Sequence, residues 1–360
     1  MAHKAGKLSL RVTRITPFSA KEEDMPAIHE PIHAPDFQAG EWLNSPPLSM
    51  AALRGQVVLI DFWDYTSINC LRSLPYVLEW WRRYRDAGLL VVGIHTPQFA
   101  FQMQGEYVRQ AVQRLGVSYP VLVDNARRTW SAWANRFWPS WYLLNTEGLL
   151  RFFHYGEGEY LLTESTIQAL LREITPGTKF LPPMLPVRAD DEPGAACYSA
   201  TSELDLGSRR GLIGNPEGLH AGQTIAYLDP GNHLPDTPYL AGEWQNEAEA
   251  VTLASAEGSV SVRYRAKEVY AVITPPRDGQ GRVEIMQDNA PPENAAGVDL
   301  TREGDAWVIR VDAPRLYAVI ANPHFGGHEL RLRVKTPGLS IYALTFITEC
   351  IANGEEAEAA

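Results

Sequence analysis

The chain lacks the features that mark membrane, nucleic-acid and metal-binding proteins. None of its 360 residues falls in a run of about 18 consecutive apolar residues, the length that a membrane-spanning helix needs. Its 32 lysines and arginines are outnumbered by 43 aspartates and glutamates, which argues against nucleic acid or an anionic membrane as the main partner. No phosphate-binding glycine loop, zinc-ligand cluster or Gly-x-Ser-x-Gly elbow is present, so we predict no metal and no cofactor.

Cysteine is also scarce. The three cysteines are Cys70, Cys197 and Cys350, an odd number at wide spacing that predicts neither a disulfide framework nor a metal site. We expect Cys197 and Cys350 to be inert, structural thiols; the alternative is that one of them resolves an oxidised Cys70.

The most informative segment lies around Cys70. Residues 56–63 form an almost continuous apolar run, as expected for a strand buried on both faces. Leu71 to Tyr84 then has apolar residues at helical spacing, with arginines near its end. Cys70 would lie in the first turn, where free backbone N–H groups stabilise a thiolate, although it could also be a small buried apolar residue.

This segment resembles the active-site loop of thioredoxins. Asp61-Phe62-Trp63, Ser67-Ile68-Asn69-Cys70 and Pro75 have the family's spacing, and similar matches extend over residues 34–174. The pattern is most similar to TlpA-like thioredoxins and DipZ-type thiol-disulfide oxidoreductases.

The resemblance implies an α/β thioredoxin-like fold and a set of site residues. Ser67 occupies the position of the nucleophilic cysteine, Cys70 that of the resolving thiol, and Asp61 that of the buried acid that assists proton transfer. Pro139 corresponds to a cis-proline beside the motif. The supporting residues are Trp63, Tyr65, Ile68, Asn69, Pro75, His95 and Trp138.

Ser67 is the point at which the chain departs from this family. A serine hydroxyl cannot form a disulfide, so dithiol exchange is disabled in this chain. Three explanations follow: a serine introduced into an active oxidoreductase, a natural one-cysteine enzyme resembling peroxiredoxins with Cys70 as its thiol, or a redox-inactive binding module.

The neighbouring polar and aromatic residues have two interpretations each. His95 ends a predicted strand, where it is either a proton partner for Cys70 or a hydrogen-bonded structural residue. Trp63, Tyr65, Trp138 and Trp141 are either an apolar platform for a protein or thiol substrate, or part of the core.

The second half of the chain has the pattern of a different fold. Residues 175–196 are rich in proline and acidic residues and predict an exposed linker. Short alternating apolar segments then predict an all-β sandwich or jelly roll, and this half resembles the carbohydrate-binding-module-like domain of DipZ-type proteins. Trp244, Tyr264 and Tyr239 are candidates for stacking on a carbohydrate, with core packing as the alternative.

The predicted organisation is an N-terminal arm (1–33), a thioredoxin-like domain (34–174), the linker (175–196), the β-sandwich (197–349) and an acidic tail (350–360). The start lacks the apolar core of a signal peptide, so the protein is expected to be cytoplasmic if Met1 is native. A trimmed form of an extracytoplasmic protein would have the same appearance. The expected partners are a protein or small-molecule thiol or disulfide and a carbohydrate.

Overall fold

A computed structural model describes residues 31–277 and 279–351. The chain divides into two compact units, with residues 31–186 in the first and nearly all residues from Val187 onward in the second. Most of the predicted N-terminal arm lies outside the described residues, including Leu8–Val12, whose alternating apolar residues predict a strand.

The first unit is built on a six-stranded mixed sheet. Its strands are β1 (Glu41–Leu43), β2 (Val57–Trp63), β3 (Leu89–His95), β4 (Val121–Val123), β5 (Ser140–Leu144) and β6 (Leu150–Tyr155). They lie in the order β1-β4-β3-β2-β5-β6, in which β2, β3 and β4 are parallel and the other pairs are antiparallel. Every residue of β2 is buried, as its apolar run predicts.

Four helices complete this unit: α1 (Ile68–Tyr84), α2 (Gly105–Arg114), α3 (Arg128–Ala132) and α4 (Tyr160–Ile174). The alternation of parallel strands with helices, followed by an antiparallel pair and a last helix, confirms the predicted thioredoxin-like fold. We call this part the thioredoxin-like unit. The sequence predicts a short, tryptophan-rich helix over 129–137, whereas α3 ends at Ala132, because Ala134 adopts a positive φ of 50° that an α-helix does not permit.

The core of the thioredoxin-like unit holds α1 against the sheet. Trp80 of α1 packs edge-to-face on Trp141 of β5 at 5.2 Å between ring centroids, and both side chains are fully buried. This contact holds α1 against β5, and a connection of only four residues places the start of α1 at the end of β2.

The first part of the predicted linker packs on the thioredoxin-like unit. The Phe180 ring lies edge-on to Tyr84 at 5.5 Å, and the Met184 N–H donates to the buried carboxylate of Glu164 at 2.7 Å. The Gln168 amide donates to the Leu181 carbonyl at 2.8 Å. Residues 180–184 are therefore attached to α1 and α4, in contrast to the exposed linker that their composition predicts.

The second unit, which we call the β-rich unit, contains the remaining strands. They are β7 (Ala196–Cys197), β8 (Leu204–Asp205), β9 (Thr224–Tyr227), β10 (Pro238–Asn246), β11 (Val251–Leu253), β12 (Gly258–Thr274), β13 (Gly281–Gln287), β14 (Leu300–Glu303), β15 (Ala306–Val311), β16 (Arg315–Val334), β17 (Ser340–Ile347) and β18 (Cys350–Ile351).

Ten of these strands form one hydrogen-bonded sheet that closes on itself in part. Strand β12 pairs with both β10 and β17, and β11 connects β10 to β17, so these four strands form a ring. The all-β class is confirmed, whereas a jelly-roll or carbohydrate-binding-module-like sandwich is not. Strands β12 and β16 are 17 and 20 residues long, in contrast to the short segments that the sequence predicts.

The cysteines of the β-rich unit contradict the sequence prediction. Cys197 of β7 and Cys350 of β18 are paired directly across an antiparallel ladder, with 4.0 Å between their Cα atoms, and they form a disulfide. They are therefore not inert thiols, and Cys350 belongs to a strand rather than to an acidic tail. This leaves the buried Cys70 as the free thiol of the chain.

Candidate functional site

Ser67 and Cys70 lie at the start of α1, one turn apart. Ser67 is the residue before the first helical position and is partly exposed, whereas Cys70 is only 4% exposed. The Ser67 side chain lies close enough to Cys70 to lower the pKa of its thiol. Of the supporting residues on α1, Ile68 is buried, Asn69 is exposed, and Pro75 lies inside the helix.

The surroundings of Cys70 favour its neutral form. Burial raises the pKa of the Cys70 thiol well above its ordinary value, and the negative charges of Asp61 and Asp64 act in the same direction. The Asp64 backbone N–H, which donates to Cys70 Sγ at 3.4 Å, and the Ser67 side chain oppose this shift. Cys70 is thus a protected thiol rather than an exposed nucleophile.

Asp61 is a buried carboxyl group in the middle of this site. The indole N–H of Trp141 donates to Asp61 Oδ1 at 3.1 Å, and the Tyr119 hydroxyl donates to Asp61 Oδ2 at 3.4 Å. Burial raises the pKa of Asp61 from 3.8 to about 7, and the two hydrogen bonds oppose that effect. A carboxyl group with this pKa can both accept and release a proton near neutral pH.

A second buried carboxylate, Asp64, belongs to the site although the sequence did not single it out. Asp64 is 0% exposed and accepts hydrogen bonds from the side-chain amide of Gln102, from the backbone and hydroxyl of Thr66, and from the backbone of Gln98. No period or motif in the sequence marks Gln102 as its partner, because the two residues are 38 positions apart.

His95 lies beside Asp64, and no hydrogen bond joins it to Cys70. Its Nε2 atom is 4.0 Å from Asp64 Oδ2, and its ring stacks on Tyr65 at 5.3 Å between centroids. Burial lowers the pKa of His95, and neither ring nitrogen has a hydrogen-bond partner among the described residues. No contact of His95 in the described part of the chain supports a direct proton partnership with Cys70.

The segment around Pro139 borders the same end of α1. The Trp138–Pro139 peptide bond is cis. The Pro139 carbonyl accepts the Gly156 N–H at 2.8 Å, and the next residue, Glu157, forms an ion pair with Arg72 of α1 at 2.8 Å. These contacts bring the Pro139 loop, the turn after β6 and the first turns of α1 together.

The aromatic platform expected from the sequence is mostly core. Trp63, Tyr65 and Trp141 are at most 2% exposed, and only Trp138 is partly accessible. The exposed aromatics near Pro139 are instead Phe137 (52%) and Tyr155 (41%), whose rings lie 5.6 Å apart. The sequence signal that could have found Tyr155 is its alternation with Phe153 on the edge strand β6.

The candidate carbohydrate-stacking residues of the β-rich unit are also buried. Trp244, Tyr264 and Tyr239 are 0%, 2% and 4% exposed, so none of them presents a ring face for stacking on a sugar. Trp244 and Tyr264 belong to the apolar core of this unit, and the Tyr239 ring stacks on the buried His233 at 4.5 Å between centroids. In residues 31–277 and 279–351, no group of three or more His, Cys, Asp or Glu side chains could hold a metal ion, and no helix there is long and apolar enough to cross a bilayer.

Comparisons with known proteins give matches to both units. A family model described as "Thioredoxin like C-terminal domain" matches residues 201–346, within the β-rich unit. Protein DipZ of Mycobacterium tuberculosis is 32% identical over 317 residues, which cover 87% of this chain and 42% of DipZ. The chain thus spans less than half the length of that relative.

Two further matches concern a smaller part of the chain. The thiol-disulfide oxidoreductase ResA of Bacillus subtilis is 26% identical over 160 residues, 44% of this chain and 82% of ResA. A crystal structure of a thioredoxin-like superfamily protein is 27% identical, covers 41% of this chain and 99% of its own, and superposes with a TM-score of 0.37.

Proposed function

We propose that the chain is a member of the thioredoxin-like thiol-disulfide oxidoreductases and that it carries a disulfide-reductase site in which Ser67 replaces the attacking cysteine. The observation that carries this proposal is the pairing of a partly exposed Ser67 at the start of α1 with a buried Cys70 one turn later. A nucleophile must reach its substrate, whereas a resolving thiol needs to reach only the mixed disulfide.

The proposed chemistry follows from the two positions. In a Ser67→Cys protein, the thiolate at 67 attacks one sulfur of a substrate disulfide and displaces the other sulfur as a thiolate, which gives a mixed disulfide. Cys70 then loses its proton to Asp61 and attacks the sulfur of residue 67, so that the second substrate thiolate leaves. The Ser67 hydroxyl cannot begin this sequence, and exchange stops before its first step.

Two alternatives have less support. A one-cysteine peroxidase that uses Cys70 would need an accessible thiolate, whereas Cys70 is buried and its pKa is raised. A redox-inactive binding module is compatible with the exposed Phe137 and Tyr155, which would contact a protein ligand beside Pro139. A carbohydrate ligand and a carbohydrate-binding-module-like sandwich remain predictions that rest on resemblance.

The disulfide supports a location in an oxidising compartment. Disulfides persist outside the reducing cytosol, and Cys197–Cys350 joins two strands near the two ends of the β-rich unit. We therefore propose an extracytoplasmic protein that acts on protein or small-molecule disulfides, rather than the cytoplasmic location expected from the first residues.

Replacement of Ser67 by cysteine tests the proposed function. We expect Ser67→Cys to reduce insulin disulfides with dithiothreitol as the electron donor, above the background rate that the parent chain gives. The matched control is Ser67→Cys with Cys70→Ser, which should form a mixed disulfide and stop. Equal inactivity of the parent and Ser67→Cys, both folded by circular dichroism, would reject the reductase site.

A further inference from the structure

The buried carboxylate of Asp64 has an unusually complete set of hydrogen bonds for a loop residue. Asp64 Oδ1 accepts the Thr66 N–H at 2.7 Å and the Thr66 hydroxyl at 2.6 Å. Asp64 Oδ2 accepts the Gln98 N–H at 2.9 Å, and the Gln102 amide lies within 2.8 Å of both oxygens. Hydrogen bonds of this kind offset the cost of burying a charge.

The partner of Asp64 is itself held in place. Gln102 lies in a short helical turn, Ala100–Met103, that follows β3, and its side-chain oxygen accepts the backbone N–H groups of Gln98 and Phe99 at 2.9 and 2.8 Å. Gln102 is 0% exposed. The loop between β2 and α1 is therefore tied through Asp64 to a separate rigid segment.

The hydrogen bonds of Asp64 also reach Cys70, the free thiol of the chain. The backbone N–H of Asp64 donates to Cys70 Sγ at 3.4 Å, so the position of the Asp64 backbone determines one of the contacts of the thiol. A change in the Asp64 carboxylate that moves the loop would change the access of solvent to Cys70.

The charges around Cys70 come from three directions. Asp61 on β2 and Asp64 in the following loop both act on the thiol, and Tyr119, which precedes β4, interacts with it electrostatically. His95 at the end of β3 faces Asp64, and burial lowers its pKa. A neutral His95 leaves the charge of Asp64 uncompensated by a cation on that side.

We propose that Asp64, anchored by Gln102 and Thr66, is a positioning residue that fixes the loop before α1 and keeps the Cys70 thiol buried and protonated. This role deepens the proposed function, because a resolving thiol that stays protected until a mixed disulfide forms does not react with other oxidants. Gln102 has the same positioning role, because it holds the Asp64 carboxylate, although it does not touch Cys70.

The parent chain allows a direct test, because Cys70 is its free thiol. The rate of Cys70 alkylation by iodoacetamide is measured from pH 6 to 11 by intact mass spectrometry. We expect Asp64→Asn to lower the midpoint of the pH profile by about one unit and to accelerate the reaction at pH 8 about tenfold. Greater access of solvent relieves the burial that raises the pKa of Cys70 most, and removal of the charge acts in the same direction, against the smaller effect of weakening the Asp64 N–H contact.

Two further variants keep the test decisive. Gln102→Leu retains the Asp64 carboxylate but removes its main anchor, and we expect faster alkylation than in the parent. Asp124→Asn is the matched control, because Asp124 is a buried carboxylate of the same unit that accepts the N–H groups of Arg128, Thr129 and Trp130 and does not contact Cys70.

The outcomes separate the proposal from its alternatives. A folded Asp64→Asn or Gln102→Leu protein with the parent profile would overturn it, as would an equal shift in Asp124→Asn, which would indicate general loosening. Alkylation does not require disulfide exchange, so a failure of Ser67→Cys to reduce insulin would reject the proposed function without changing this result.

Discussion

At the scale of single residues, the thioredoxin-like unit maintains a buried carboxyl group at a cost to its own stability. Asp61 has its pKa raised from 3.8 to about 7 by burial, so the folded protein binds a proton that the unfolded chain releases. The unfolded state therefore binds fewer protons between these two pH values, and stability falls as the pH rises through this range. A group retained under this penalty is consistent with a role in proton transfer.

Asp61→Asn tests this cost. At pH 8 we expect the variant to have a free energy of unfolding about 2 to 4 kcal/mol above that of the parent, because an amide has no charge to desolvate. At pH 4, where the parent carboxyl group is protonated in the folded state, the two should be similar. Urea unfolding at both pH values provides the measurement, and a pH-independent difference would contradict the explanation.

At the scale of elements, α1 and α4 are joined by a buried polar cluster that also holds residues 180–184. Glu164 of α4 is 1% exposed and accepts the Tyr84 hydroxyl at 2.6 Å and the Arg83 guanidinium at 3.1 Å. It also accepts the Met184 N–H at 2.7 Å. A loss of this carboxylate would leave several buried donors without a partner.

Glu164→Ala is expected to lower the stability of the thioredoxin-like unit by about 2 to 4 kcal/mol and to release residues 180–184. Trypsin should then cleave after Lys179, which lies just before the released segment, faster than in the parent. Glu173→Ala provides a control on the same helix, because Glu173 is exposed and lies 3.7 Å from its partner Arg151. Equal cleavage rates in the parent and Glu164→Ala would show that the cluster does not hold the segment.

The elements that follow a regular pattern could be predicted from the sequence. Strand β2 and helix α1 are examples, because the continuous apolar run and the helical spacing directly reflect how these elements are buried. The contact between Asp64 and Gln102 could not be predicted, because it joins an irregular loop to a short helical turn 38 positions away. The Cys197–Cys350 bond could not be predicted either, since its pairing depends on strands of two residues each.

At the scale of the whole molecule, one covalent bond spans most of the β-rich unit. Cys197 and Cys350 are 153 residues apart in the sequence, so their disulfide removes much of the conformational freedom of the unfolded chain. The stability of the β-rich unit should depend on this bond more than on any single noncovalent contact.

Replacement of both cysteines by serine should lower the free energy of unfolding of the β-rich unit by about 3 to 5 kcal/mol. Denaturant unfolding should show the loss in the transition of the β-rich unit, while parent protein unfolded in a reducing agent should resemble the double variant. The transition of the thioredoxin-like unit is the internal control. An unchanged transition of the β-rich unit would mean that the bond adds little to its stability.

The disulfide also makes the number of free thiols a measure of the oxidation state of the chain. Two of its three cysteine sulfur atoms are committed to one covalent bond, so the folded protein carries a single thiol equivalent, and that equivalent belongs to Cys70. Stoichiometry then distinguishes the chemical states of the chain: one equivalent identifies the intact bond, three identify its reduction, and none identifies oxidation at α1. A colorimetric titration of the unfolded protein can therefore record the environment from which the molecule was isolated.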